Sequence, residues 1–445
     1  MATRSIPSVS ILDFFANAKL ILRNPLPFHR KNFERLGDTF QIKVSLTDAV
    51  VISRNPELAQ YALQKNHRNF TKSSIQTEEV AKYVGHGLLT IEGEHWKKQR
   101  RLIQPAFHKE NIIQLLDTVQ HAINVELDKL KTNTPLDVFP IFNDLAFQTV
   151  VKSLFSSAAG QEDINRLQYI TEATQRMVVR ELRQFYKKWW FYMSGSIKYH
   201  KNLTQEARDI LRNLVEERRA SGKRENDLLD LLLEARYDDG SPMEEQQLLD
   251  EILILFTAGH ETTSNALTFI SELLARHPEV QEKIYAEVSE ARKETTNPFE
   301  FLQRCAYTTN VIEEAMRLYP PAYFIDRVNI TDDEFQGMKI PKGSSLLFSM
   351  YEIHRHKEHW QDPEAFIPER FSRERTQHYY PFGAGPRKCI GNNFAMYEMI
   401  LAVAELMSRF RVEPKSGPIE VDPLITLKPK NAILKFLPRA DHYRV

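Results

Sequence analysis

The 445 residues carry 59 Lys+Arg against 59 Asp+Glu, so no global basic field exists to attract nucleic acid. Hydrophobic residues make up 42%, and the 15 glycines are about half the average usage, which fits a helix-rich globular chain and excludes disordered and collagen-like classes. Two cysteines cannot build a disulfide framework, so a reducing, cytoplasmic location is expected.

Taken in chain order, the first apolar stretch is Ile11 to Leu22, ILDFFANAKLIL. Asp13 and Lys19 interrupt it, it is too short to cross a bilayer, and no small-residue cleavage site follows. It is predicted to be an amphipathic first helix, and no transmembrane anchor is expected elsewhere. Thr39 to Ser53 alternates, with Phe40, Ile42, Val44 and Leu46, then Val50 and Ile52 after Thr47-Asp48-Ala49, the pattern of a hairpin. From Pro56 to about residue 300 the apolar period is helical. Short β runs return between 329 and 351 (Met338 to Ile340, Ser345 to Met350) and near Ile425 and Ala432 to Leu437. Early and late strands are expected to share one small sheet. The predicted fold is mainly α with a small β-sheet region, one domain over 1–445, with β-rich parts near 39–53, 329–351 and 420–438.

One helix stands out. Ser241-Pro242-Met243-Glu244 offers an N-cap, a first-turn proline and a capping-box glutamate, and the pattern runs on to Arg276 before His277-Pro278. That length is roughly 50 Å. At its centre, Ala258-Gly259-His260-Glu261-Thr262-Thr263 costs about 1–2 kcal/mol of helix propensity. It reads either as a tolerated weak spot or as a distortion that sets a hydroxyl and a carboxylate beside a ligand.

Cys389 lies in Phe382-Gly383-Ala384-Gly385-Pro386-Arg387-Lys388-Cys389-Ile390-Gly391, ahead of a helical pattern from Asn393 to Phe410. A thiol at a helix N-terminus beside Arg387 and Lys388 is set up to ionise. No second Cys or His stands at zinc-ligand spacing, which leaves a nucleophile or an axial ligand of haem iron.

The run Phe-x-x-Gly-x-Arg-x-Cys-x-Gly resembles the cysteine-ligand loop of the cytochrome P-450 superfamily at every fixed position. The resemblance implies the fold of that family, with haem b (iron protoporphyrin IX) ligated by the Cys389 thiolate and O2 as co-substrate. It implies that Phe382 shields the sulfur and that Gly383, Gly385 and Gly391 allow close approach. Arg387, with Trp96, Arg100 and Arg327, would meet the haem propionates. Glu314-Ala315-Met316-Arg317 resembles the family's Glu-x-x-Arg helix and, with Arg370, a buried structural ion network. Ala258-Gly259-x-Glu261-Thr262 resembles the oxygen-activation motif: Thr262 would hold dioxygen and a water, and Glu261 would relay protons. With no flavin or iron–sulfur module in view, a ferredoxin and ferredoxin reductase are the expected electron partners, fed by NAD(P)H, and Lys97, Lys98, Arg101 and Lys388 are candidates for the docking face.

By the same resemblance Ile254, Leu255, Ala258, Ala322, Phe324 and Ile425 would line the substrate pocket. Gln76, Glu78, Tyr83, His86, Gln175, Arg176, Arg180 and Glu181 come from two unusually polar segments, with Trp189-Trp190 in the lid. They are either solvated helix faces or contacts for a small polar substrate. The sequence also resembles marine-bacterial members that oxidatively demethylate methoxy sugars such as 6-O-methyl-D-galactose. The expected function is therefore a monooxygenase acting on a small molecule, as an O-demethylase or as a fatty-acid or terpenoid hydroxylase. A haem-thiolate sensor or electron carrier is the alternative of another class.

Overall fold

The computed structural model describes residues 5–43, 49–156, 159–372 and 378–439, which divide into two units. The first comprises Met1–Ser74, Glu313–Cys389 and Val421–Lys430; the second comprises Ile75–Ile312, Ile390–Glu420 and Asn431–Val445.

A six-stranded sheet forms the first unit, in the order Ser8–Val9, Thr39–Lys43, Ala49–Ser53, Ser345–Ser349, Phe324–Asn329, Phe70–Thr71. The alternating segment forms the expected antiparallel pair, with Phe40 opposite Ile52 and Ile42 opposite Val50. Val44, Leu46 and the Thr47-Asp48 turn lie outside the described residues. Phe40, Ile42 and Ile52 are buried beside Phe28 and Phe33, so period-2 alternation here does select a core face. Ile11–Ala16 and Ala18–Arg23 are two short helices with no buried residue, broken at Asn17, in place of one helix.

The C-terminal strand does not join that sheet. Ile433–Pro438 pairs with Phe410–Pro414 and with Pro135–Asp137 in a separate three-stranded sheet of the second unit. The reason is complementarity of buried faces: Val412 stands opposite Phe436, and Leu434 and Phe436 are fully buried. Ile425 sits between the strands Glu420–Pro423 and Leu427–Lys430 and is exposed.

The second unit is helical and built round Glu245–Arg276, 32 residues of unbroken helix. Its start differs from expectation. Ser241 Oγ donates to Asp239 at 2.6 Å instead of capping, Pro242 bridges to Arg236, and Glu244 takes the N-cap position without a side-chain bond. The turn from Tyr237 to Ser241 uses the groups that a capping box would have needed. The long helix packs on Phe139–Phe155, and at Gly259 the approach is tight: a Cβ there would stand 3.1 Å from Val150 Cγ2. Among the described residues no helix is long and apolar enough to cross a membrane.

Candidate active site

In the first unit the Cys389 loop is tied at four points. Tyr380 N donates to His354 Nε2 (2.9 Å), Gly383 N to Tyr380 O (3.1 Å), Lys388 N to Gly385 O (3.0 Å) and Cys389 N to Phe382 O (2.9 Å). Gly383 and Gly385 both have positive φ, 71° and 69°. At Gly385 an added Cβ would meet Leu63 O at 1.9 Å, so its glycine is demanded by a protein carbonyl and not only by a ligand. Arg387 Nη1 donates to His67 O at 3.4 Å, and Arg327 is buried with Nη1 on Asp326 O at 2.7 Å. Ala322 and Phe324 are half-buried, the Phe324 ring 5.3 Å from that of His29.

The two thiols differ sharply. Cys305 is fully buried, and burial pushes its pKa up to about 12, so it is an inert core group. Cys389 is exposed on its tethered loop, where a thiolate can meet a ligand.

Glu314 and Arg317 lie on the helix Ala306–Leu318 and are completely buried. Arg317 spends all five N–H groups: Nε and Nη2 on Glu314 (2.7 and 2.8 Å), Nη1 on the His354 and Pro363 carbonyls, Nη2 again on Ala365 O. Glu314 Oε1 also accepts from Ile367 N (2.9 Å) and Arg370 Nε (3.3 Å). The structure thus brings the three expected charges together.

In the second unit, Thr262 Oγ1 donates back to Ala258 O at 2.7 Å. The helix stays unbroken, so the weak centre is not a break. Yet Ala258 is exposed, and Leu255, Gly259, Glu261 and Thr262 are half-buried, while the turns that follow are buried all round. That open stretch, midway along a buried helix, includes both Glu261 and Thr262. Trp96 is buried and Arg100 half-buried on the helix Gly93–Ile103, with Arg100 Nε on Gln104 Oε1 at 3.1 Å. Lys97 pairs with Glu94, and Arg101 with Asp238. Gly391 precedes the helix Asn392–Arg409, and an added Cβ would meet only the Phe107 ring, at 3.9 Å. Packing within the protein does not require glycine there. The exposed soft donor at Cys389 in the first unit is the kind of ligand a thiolate-bound haem takes.

The polar segments are largely occupied by one another. Buried Glu181 accepts from the hydroxyl of buried Tyr83 and pairs with Lys82. Burial and that carboxylate push the Tyr83 pKa far up, so the phenol stays neutral. Gln175 Nε2 donates to Thr257 O at 3.1 Å, Arg176 is exposed on Glu172, Arg180 lies over the Phe191 ring and the His86 side chain is exposed. Gln76 is half-buried, Ile254 is buried, and Trp189 and Trp190 are exposed.

Two residues that carry no sequence signal hold this region in place. Asp250 accepts from His86 N (2.8 Å) and Glu251 from Leu88 N (2.9 Å), fixing the loop through Gly85 and Gly87. Gly85 has φ 86°, and a Cβ at Gly85 or Gly87 would fall within 3 Å of those carboxylates, so a side chain there would push them from the loop. Adjacent acids on a helix look like solvated charge until the loop is seen on them.

A model described as "Cytochrome P450" matches residues 7–436. The chain belongs to the cytochrome P450 family. Its P450 relatives include pentalenene oxygenase of Streptomyces avermitilis, 30% identical over 397 residues, covering 88% of this chain and 88% of the relative. Cyclooctat-9-en-7-ol 5-monooxygenase of Streptomyces melanosporofaciens is 31% identical over 405 residues, 89% of this chain and 86% of its own length. Cytochrome P450 4A11 of Homo sapiens is 31% identical over 393 residues, with 82% and 76% covered. Among solved structures, a cytochrome P450DA heme domain matches with a TM-score of 0.88 at 22% identity over 100% of both chains, a likeness of fold. As a P450 the protein is an oxidoreductase of the monooxygenase class, whose cofactor is a haem with a thiolate ligand.

Glu398 is a further buried acid, on the P450 helix that follows Gly391. Burial pushes its carboxyl up to about 8 from 4.5, against the Thr149 hydroxyl that donates to it. The folded state keeps a proton that the unfolded chain releases, so this group costs stability increasingly as pH rises from 4.5 toward about 8. Glu398→Gln is expected to raise Tm at pH 8 by more than at pH 5. Thermal unfolding at both values checks this; an equal difference at each would show that Glu398 does not titrate in that window.

Proposed function

We propose that this P450 is a single-domain, ferredoxin-dependent, cytoplasmic monooxygenase binding haem b, with an apolar, terpenoid-type substrate. The exposed Cys389 thiol on its four-point tether is the observation that carries the enzyme reading. A haem held through a thiolate supplies the reductive activation of O2. By the family resemblance Cys389 would be the ligand, Phe382 would shield its sulfur, and Trp96, Arg100, Arg327 and Arg387 would hold the propionates. Glu261 delivers protons from solvent and the Thr262 hydroxyl positions the water that carries them, which is what a sensor or electron carrier would not need.

The apolar substrate is supported by the polar segments themselves. Tyr83, Glu181, Gln175 and Arg176 have protein partners, so a sugar would have to displace hydrogen bonds already made. Two relatives are named for oxygenation of pentalenene and cyclooctat-9-en-7-ol. The second reading, O-demethylation of a methoxy sugar such as 6-O-methyl-D-galactose, rests on Gln76 and His86 in the same segments. One assay separates the two. The protein reconstituted with a ferredoxin, its reductase and NADH is offered terpenoid hydrocarbons and methoxy sugars in parallel. Hydroxylated terpenoid supports the first reading; formaldehyde released from the sugar in step with NADH use overturns it for the second.

Thr262→Ala is expected to keep haem and substrate binding but divert NADH consumption into free hydrogen peroxide. The hydroxyl acts only after O2 has bound, so ground-state affinity should hardly move. The product-to-NADH ratio is the measurement, and an unchanged ratio would remove Thr262 from proton delivery.

A further inference from the structure

Away from the residues above, the first unit holds a cluster of three histidines. The rings of His356 and His359 lie 5.0 Å apart, and those of His359 and His378 lie 4.4 Å apart. Glu57 Oε1 stands 4.0 Å from His359 Nε2 and 3.8 Å from His378 Nε2. These separations are too long for hydrogen bonds. They are close to the spacing of ligands around one ion: bonds of about 2.0–2.2 Å in a tetrahedron put ligand atoms about 3.3–3.5 Å apart. One ligand atom from each of Glu57, His359 and His378 lies within 4.8 Å of the other two, so small side-chain rotations close the triangle.

The backbone holds each donor firmly. Glu57 sits in the first turn of the helix Pro56–Gln60, capped by Asn55 Oδ1 on Leu58 N at 2.7 Å. His359 belongs to a turn closed by His359 N and Trp360 N on His356 O, at 3.0 and 2.9 Å. His378 comes two residues before Tyr380, whose N–H is bound by His354. His356 is otherwise engaged: Nδ1 accepts from Glu358 N at 3.3 Å, and Nε2 faces Asp38 Oδ1 at 3.3 Å. It is a neighbour of the site and not a ligand. Glu57 faces Nε2 of both His359 and His378, while His378 Nδ1, like His356 Nε2, is buried with no hydrogen-bond partner.

We propose that Glu57, His359 and His378 form a binding site for a divalent transition-metal ion of the zinc class, with water in the fourth position. Two imidazoles and one carboxylate are a donor set such ions take, and imidazole selects against magnesium and calcium. The ion would tie the helix Pro56–Gln60, the His356–Trp360 turn and the segment leading to the Cys389 loop to one another. The site does not depend on the oxygenase reading.

The test uses the haem-loaded protein after EDTA treatment and dialysis. It is titrated with ZnCl2 by calorimetry at pH 7.5, and bound zinc is counted by elemental analysis after desalting. One equivalent is expected, with affinity falling as pH drops toward 5.5 and the imidazoles protonate. The double variant His359→Ala/His378→Ala is expected to lose that equivalent while keeping the wild-type CO spectrum, which shows that it is folded. His356→Ala is expected to retain it. Absence of stoichiometric zinc in the wild type overturns the proposal, as does undiminished binding in the folded double variant. Should the double variant not fold, Glu57→Gln, on the helix surface, carries the same expectation of weakened binding.

Discussion

Cys389→Ala is expected to abolish product formation and to remove the red-shifted Soret band of the reduced, CO-treated protein. The side chain is exposed, and the loop is held by backbone hydrogen bonds at Tyr380, Gly383, Lys388 and Cys389, none of which uses the sulfur. Truncation there costs the fold little, as for most surface changes. What disappears is the thiolate, whose electron donation favours O–O cleavage. The other thiol cannot replace it, since Cys305 is buried with its pKa pushed up to about 12. Spectroscopy of the purified variant is the measurement. A retained red-shifted band would mean that another group ligates the iron.

Arg317→Ala is expected to give almost no folded haem protein. Five acceptors converge on that guanidinium, and Glu314 beneath it is fully buried. Removing it leaves three carbonyls without that donor and the buried Glu314 with only Ile367 N and the longer Arg370 contact, a loss of about 3–5 kcal/mol for the broken ion pair alone. Domain stabilities are only about 5–15 kcal/mol, so the loss is decisive. Lysine would not rescue it, because three N–H groups cannot match a planar set of five. Expression yield and haem content of Arg317→Ala and Arg317→Lys check the claim; normal values would show that the network is dispensable.

The Cys389 loop was legible because close backbone approach and soft ligation restrict nearly every position to one residue type. Gly385 illustrates the limit of that legibility. Its glycine was readable, but the contact that demands it, Leu63 O, is more than 300 residues away in sequence. The polar segments were legible as unusual, but their partners were not. Nothing local says that Tyr83 and Lys82 meet Glu181, about 100 residues on. Asp250 and Glu251 were invisible for the same reason.

The sequence by itself determined the family and the balance of helix over sheet, and it pointed to Cys389 and the Glu261–Thr262 pair as candidate functional groups. Each depends on residue chemistry at short spacing, where one turn or one loop sets the geometry. Tertiary structure alone decided which sheet the last strand joins, where the long helix begins and which charges have partners. Strand pairing follows the match of two buried faces, and a cap is lost when a neighbouring turn uses its hydroxyl. A polar side chain is ligand-ready or already bonded according to what the fold brings against it, and that partner stands far away in the chain.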